Sequence, residues 1–214
     1  MAVVAEFCFN PFQENTYVLY EEKGECIIID PGCYTQSERD QLAEFIDQAE
    51  LTPVRLLNTH CHLDHVFGNK FVMEKYGLGL EIHKGEIPVL EAVPSVAAMY
   101  GIPNVIPSPS PTGYLEENDV ITFGKETQLK VLFTPGHSPA SISFYNEKEQ
   151  YIIAGDVLFQ GSIGRTDLPG GDFNTLIESI KSRILSLGDE VRVYSGHGPS
   201  TTVGVEKKTN TFLQ

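Results

Sequence analysis

A chain of 214 residues is long enough for one sizeable core, or at most two small ones, and its 41 % apolar and 21 % charged content is ordinary for a soluble globular protein. With 15 basic against 29 acidic side chains the net charge is −14, so there is no general attraction to a polyphosphate and nucleic acid is not expected as a partner. No apolar run approaches the about 20 residues that span a bilayer, and the start MAVVAEFCFN lacks the basic region and cleavage site of a signal peptide. The expectation is therefore a cytoplasmic protein with no membrane partner. Its four cysteines, Cys8, Cys26, Cys33 and Cys61, form no CxxC pair and are expected as free thiols.

The first thirty residues read as strands. VVAEFCF, TYVLY and CIIID are rich in β-branched and aromatic residues, with a hairpin turn expected at EEKGE (21–25) and a turn at Asp30-Pro31-Gly32. A helix follows, with Ser37 as N-cap and Leu42, Phe45, Ile46 and Ala49 on one face. VRLLN restarts as a strand after Pro53 and leads into NTHCHLDHVFGN (58–69), beyond which a helix is expected from Val66 to Tyr76, closed by Gly77. Residues 94–112 hold five of the thirteen prolines, which predicts an irregular surface excursion or a lid rather than one continuous helix. VITFG, LKVLFT, SISFYN and YIIAGDVLF then read as strands. An amphipathic helix is expected over 173–187 with Asp172 as N-cap, and EVRVYSGHG as a last strand ending at His197. Two weak internal echoes, RLLNTHCH with VLFTPGHS and CIIIDPG with YIIAGDVL, do not establish a duplication. No linker divides the chain, so it reads as a single α/β domain, 1–214, of two packed halves.

The chemistry concentrates at strand ends. Three of the six histidines, with one aspartate, fall within six positions: His60, His62, Asp64 and His65. His137 in LFTPGHS, Asp156 in IIAGDVLF and His197 in VYSGHGPS each end an apolar strand beside glycine or proline, and glycine permits the tight turns a ligand loop needs. A solvated loop with accidental histidines would not be matched by three such segments. Seven imidazole and carboxylate groups suit two metals about 3.5–4 Å apart, each with three terminal ligands and sharing one bridging carboxylate. The donor set fits zinc, iron or manganese without choosing among them. His83 has no companion motif, Cys61 is expected to point away from its ligand neighbours, and Asp30 is expected to brace a turn.

HCHLDH at 60–65 resembles the HxHxDH signature of the metallo-β-lactamase superfamily, and IIIDPG, TPGHS, GD at 155–156 and SGHG resemble its other motifs in order. The resemblance runs from about residue 15 to residue 200. It implies an αββα four-layer sandwich of two mixed sheets flanked by helices. It also implies His60, His62 and His137 on one metal, Asp64, His65 and His197 on the other, and Asp156 bridging. Asp64 and Asp156 are then the candidate catalytic carboxylates. GDVLFQGSIGRTDLPGGD (155–172) resembles the glyoxalase II branch, hydroxyacylglutathione hydrolases, in a small form without the C-terminal helical domain. In that branch a lysine at the position of Arg165 helps hold glutathione and a tyrosine stands two residues later, where this chain has Asp167. Arg165 is thus the candidate substrate-binding residue, with pairing to Asp167 or Asp172 as its structural alternative.

The resemblance implies hydrolysis of a small acyl thioester such as S-lactoylglutathione, with two divalent metals, zinc foremost, supplying a bridging hydroxide. A thiolate leaves without help, since its conjugate acid has a pKa near 8.5, and no general acid stands out near the motifs. The rival is a mononuclear-iron persulfide dioxygenase, whose ligands would fall on His60, His137 and Asp156. A non-catalytic metal-binding protein is the third possibility, against which the full ligand set argues.

Overall fold

The computed structural model describes residues 2–21 and 24–214. Glu22 and Lys23, in the hairpin turn expected at 21–25, lie outside the described residues. The chain forms two compact units, Met1–Tyr114 with Thr122–Thr127, and Leu115–Ile121 with Gln128–Gln214.

The first unit is built on a six-stranded sheet in chain order: β1 (Val3–Phe9), β2 (Glu14–Tyr20), β3 (Glu25–Ile29), β4 (Thr52–Leu57), β5 (Leu80–Ile82) and β6 (Gly113–Tyr114). β1, β2 and β3 pair antiparallel, and β3 to β6 pair parallel. The parallel pair β3–β4 needs a crossover, which is α1 (Gln36–Gln48). Leu42 and Ile46 of α1 are buried with Val18, Ile28 and Leu56 of the sheet, each worth about 1.5–3 kcal/mol of apolar transfer. The N-cap of α1 is Thr35, not Ser37. Thr35 accepts from Glu38 N and the Glu38 carboxylate accepts from Thr35 N, a capping box that fixes the start two residues earlier than the expected cap.

The helix expected over 66–76 is broken in two, α2 (Leu63–Val66) and α3 (Asn69–Tyr76). The break is at Gly68, whose N–H donates to Pro31 O at 2.7 Å; a Cβ there would lie 2.4 Å from Cys33 Sγ. Gly77, at φ 69°, closes α3 as expected. The excursion expected over 94–112 is corrected at its start. α4 (Ile87–Met99) runs through Pro94, with Pro88 in its first turn and Leu90, Val93 and Ala97 buried. Burial of that face outweighs the one backbone hydrogen bond that Pro94 cannot make. After Tyr100 the chain is irregular up to β6.

The second six-stranded sheet runs in the order β14-β13-β10-β9-β8-β7. Its strands are β7 (Val120–Phe123), β8 (Thr127–Phe133), β9 (Ile142–Asn146), β10 (Tyr151–Gly155), β13 (Arg192–Ser195) and β14 (Thr201–Thr202). β8, β9 and β10 pair antiparallel, and β10 pairs parallel with β13. The crossover between the last two carries a small hairpin, β11 (Leu158–Phe159) and β12 (Ser162–Ile163), and then α5 (Phe173–Ser179). Asp172 caps α5 as expected, accepting from Thr175 N, and the helix continues as a π turn over Ile180–Ile184. Leu176, Ile180 and Ile184 are buried against Ile152, Ala154 and Val193. His197 is not the end of regular structure, since β14 and α6 (Val203–Thr209) follow, with Thr202 as N-cap. The fold is α/β, mixed sheets flanked by helices. Among the described residues no helix is long and apolar enough to cross a membrane.

Candidate metal centre

The first four ligand-type residues sit at the end of the parallel pair β3–β4. Parallel neighbours deliver their following loops to the same sheet edge, so Asp30 after β3 meets Asn58, Thr59 and His60 after β4. Asp30 stands at φ 49° and is buried. Its Oδ1 accepts from Thr59 N at 2.7 Å and Asn58 Nδ2 at 3.2 Å, and its Oδ2 from the Thr59 hydroxyl at 2.6 Å. Oδ2 also lies 3.2 Å from His65 Nδ1. Both oxygens are thereby engaged, so Asp30 braces the turn, as its sequence context suggests, and braces two histidines as well.

The protons follow from this arrangement. The Thr59 hydroxyl gives its hydrogen to Asp30, so it faces His60 Nδ1, 3.1 Å away, as an acceptor. His60 therefore carries its proton on Nδ1 and a lone pair on Nε2. His65 Nδ1 donates to Asp30, and its Nε2 lies 3.8 Å from Asp64 Oδ2. One carboxylate thus sets two imidazoles in the tautomer that a metal ligand needs. The His60 and His65 ring centroids are 4.1 Å apart, and those of His60 and His62 are 4.8 Å apart. His62 is extended at the N-cap of α2, and Asp64 and His65 follow in its single turn. Behind them a chain of amides runs to the proline-rich segment: Asn58 Nδ2 donates to His65 O at 3.0 Å, Asn69 Nδ2 to Asn58 Oδ1 at 2.8 Å, and Asn69 Nδ2 to Ser108 Oγ at 3.0 Å.

Cys61 is fully buried between two of these histidines, and its N–H donates to the buried Glu86 carboxylate at 2.9 Å. Burial pushes its thiol well above the ordinary range, which favours a protonated group and not a thiolate ligand. His83 accepts from Gly85 N at 3.1 Å and caps a short 3-10 turn.

The other three ligand-type residues belong to the second unit. His137 follows β8, Asp156 follows β10 and His197 follows β13. Asp156 Oδ2 lies 3.5 Å from His137 Nε2 and 3.4 Å from His197 Nε2, so both rings converge on one carboxylate. His137 Nδ1 donates to Arg165 O at 2.7 Å, which leaves the lone pair of the neutral ring on Nε2, facing Asp156. Close approach is enforced by Gly164, where a Cβ would fall 1.9 Å from Asp156 O and 3.1 Å from His137 Cβ. His197 is the most open of the three, about a quarter exposed, with the Phe159 ring edge-on to it at 6.2 Å.

Arg165 has two roles that the sequence does not separate. Its guanidinium is exposed and makes a two-pronged pair with Asp167, 2.7 Å on each side, the structural alternative foreseen for it. The hydrogen bond from Arg165 holds the Asp167 carboxyl down at about 2. Its backbone carbonyl orients His137, a part that any residue could supply and that no sequence motif could reveal.

In each unit, then, an imidazole lone pair faces a carboxylate oxygen. Two such donors repel unless a proton or a metal cation lies between them, and the clustered imidazole and carboxylate groups are a donor set that fits a divalent metal. This combination defines a candidate metal centre of imidazole and carboxylate donors.

A model of the metallo-beta-lactamase superfamily matches residues 9–197, and the chain belongs to that superfamily. It is 36 % identical over 205 residues, 94 % of this chain and 93 % of the other, to the hydroxyacylglutathione hydrolase GloC of Haemophilus influenzae. Among solved structures it is similar to the BLEG-1 B3 metallo-beta-lactamase, at 37 % identity and a TM-score of 0.90, covering 99 % of this chain and 100 % of that one. It is also similar to TTHA1623 in a di-iron-bound form, at 38 % identity and a TM-score of 0.87, covering 98 % and 100 %.

Proposed function

We propose that the chain is a dinuclear-metal hydrolase of small acyl thioesters, with S-lactoylglutathione as first candidate substrate. The observation that carries the metal reading is the pairing, in both units, of imidazole lone pairs with a carboxylate. The full-length likeness to GloC supports the thioester. His60, His62 and His137 would hold one divalent ion, Asp64, His65 and His197 the other, and Asp156 would bridge them. Zinc is the first choice; the di-iron relative keeps iron in view, and the donor set also allows manganese. Bound metal supplies the nucleophile, by lowering the pKa of water to about 7, and polarises the acyl carbonyl.

The protein's own part is orientation and binding. Asp30, through Thr59, and Arg165 O hold protons on the Nδ1 atoms, so the Nε2 atoms of His60, His65 and His137 present lone pairs without a proton having to leave. Asp64 and Asp156 would place negative charge against the ions and so fix where the attacking oxygen sits. The thiolate product needs no proton from the protein, in keeping with a set that contains metal ligands and no separate acid. Arg165 would bind a carboxylate of the thiol half, which requires that the substrate compete with Asp167 for the guanidinium.

Likeness to BLEG-1 favours a second reading, a lactamase. A lactam nitrogen leaves as an amine and gains from a proton donor, which makes it the harder substrate for this site. Protein loaded separately with zinc and with iron is assayed for S-lactoylglutathione hydrolysis, for opening of a chromogenic cephalosporin, and for oxygen uptake on glutathione persulfide. The proposal expects the first to dominate by at least about a hundredfold in kcat/KM, about 2.7 kcal/mol. Oxygen uptake with one iron per chain would replace it with the dioxygenase, and dominant cephalosporin turnover with the lactamase.

A further inference from the structure

α2 presents a physical problem. It has four residues, and its N-cap, His62, makes no side-chain capping hydrogen bond. A single turn does not sustain itself in water, and its last carbonyls have no partner within the helix. Yet it carries Asp64 and His65, whose placement must be accurate. Two amides from outside the helix supply what it lacks. One is Asn58, already described on His65 O. The other is Asn10, in the β1–β2 turn, whose Nδ2 donates to Asp64 O at 3.0 Å and to Gly32 O at 3.0 Å.

Asn10 is itself fixed on every side. Its N–H donates to Glu38 Oε1 at 2.7 Å, and its Oδ1 accepts from Phe12 N at 3.0 Å. The other oxygen of Glu38 takes Tyr34 N at 2.9 Å and Thr35 N at 2.7 Å, so the capping box of α1 also anchors the turn. Gly32 lies where these pieces meet, and a Cβ there would fall 1.9 Å from Glu14 Oε2 and 2.7 Å from both Asn10 Nδ2 and Asp64 O. Asn10 stands at φ 54°. Glycine or aspartate would satisfy that backbone, but neither offers two N–H donors to two carbonyls while accepting a third bond.

We propose that Asn10 is a positioning residue for Asp64: its side-chain amide clamps the turn that carries Asp64 to the loop after β3, and so sets the affinity of the metal site to which Asp64 contributes. The inference rests on the reading of Asp64 as a metal ligand, and is independent of which substrate the protein hydrolyses.

The test compares Asn10→Gly, which keeps the positive φ and removes the amide, with Asn10→Asp, which keeps the Phe12 acceptor and removes the donors. Three quantities are read: amide hydrogen exchange over residues 63–66 in metal-free protein, the two zinc affinities by chelator competition, and kcat and KM for the thioester. Both variants are expected to exchange faster at 63–66 and to bind the weaker zinc about 10- to 100-fold less tightly. Any thioesterase activity should fall in kcat with KM held. Asn10→Gly matching the wild type in exchange and zinc affinity would make Asn10 a turn residue only and overturn the proposal, as would a wild type that binds a single zinc. If Asn10→Gly does not fold, Asn10→Asp decides by the same readouts. A wild type without thioesterase activity whose second zinc is weakened by Asn10→Gly would sink the substrate assignment and leave the positioning role standing.

Discussion

Replacing Asp30 by asparagine changes one oxygen to an NH2 at nearly constant shape, in a residue type that tolerates its φ of 49°. The amide oxygen can keep the bonds from Thr59 N and Asn58 Nδ2. At the other position a donor now faces the Thr59 hydroxyl and His65 Nδ1, both of which donate to Asp30 in the native protein. Thr59 must turn to accept, and its hydrogen is then directed at His60 Nδ1, 3.1 Å away. His60 and His65 are both driven to carry the proton on Nε2, where a ligand needs a lone pair. Loss of one such orienting partner costs about 10- to 100-fold in metal affinity. Two histidines give about 10²- to 10⁴-fold, or about 2.7–5.5 kcal/mol. Competition with a chromogenic chelator measures it directly, and thermal unfolding of the metal-free protein separates it from loss of fold. A folded Asp30→Asn protein that held zinc within about threefold of the wild type would refute the tautomer assignment.

Asp156→Ala should lower metal content and turnover more than His65→Ala, because a bridging ligand serves both ions; plasma emission analysis and thioester assay read both, and equal effects would remove Asp156 from the bridge. Arg165→Ala should raise KM for a glutathione thioester with little change in kcat, a loss of about 1–3 kcal/mol in kcat/KM, and should spare a thioester that lacks the carboxylate. Asp167→Asn, which releases the Arg165 guanidinium from its pair, should lower the same KM; no change would show that Asp167 does not compete. Glu21 accepts three backbone N–H groups and the Thr127 hydroxyl, which hold it at about 2 against an ordinary 4.5. Its contribution to stability is present above pH 4.5 and is lost as pH falls toward 2, so Glu21→Gln should flatten the acid side of the stability profile across that window, measured by urea unfolding.

The candidate ligand residues stand out in the sequence because their signal is local. His60 to His65 are six consecutive positions, and the glycines beside His137, Asp156 and His197 mark strand ends without reference to the rest of the chain. Thr35 was equally visible as a cap, since Glu38 stands three residues on, but Ser37 lay nearer the apolar periodicity. The break at Gly68 could not be read, because its cause is Pro31, thirty-seven positions away and brought near only by the fold. α4 was hidden by Pro94, whose cost is local while the burial of Leu90, Val93 and Ala97 is tertiary. Asn10, Asn58, Thr59 and the carbonyl of Arg165 act through contacts that are mostly far apart in sequence, and their residue types are common enough to carry no signal of their own. The echo between CIIIDPG and YIIAGDVL has a structural counterpart: Asp30 follows β3 and Asp156 follows β10, each on the strand that turns an antiparallel run into a parallel pair.

The measurement that bears most directly on the whole account is a zinc titration of metal-free protein, with S-lactoylglutathione hydrolysis followed at each addition. The account predicts that hydrolysis rises to a plateau at two zinc per chain. A plateau at one zinc, or no hydrolysis at two, would contradict it.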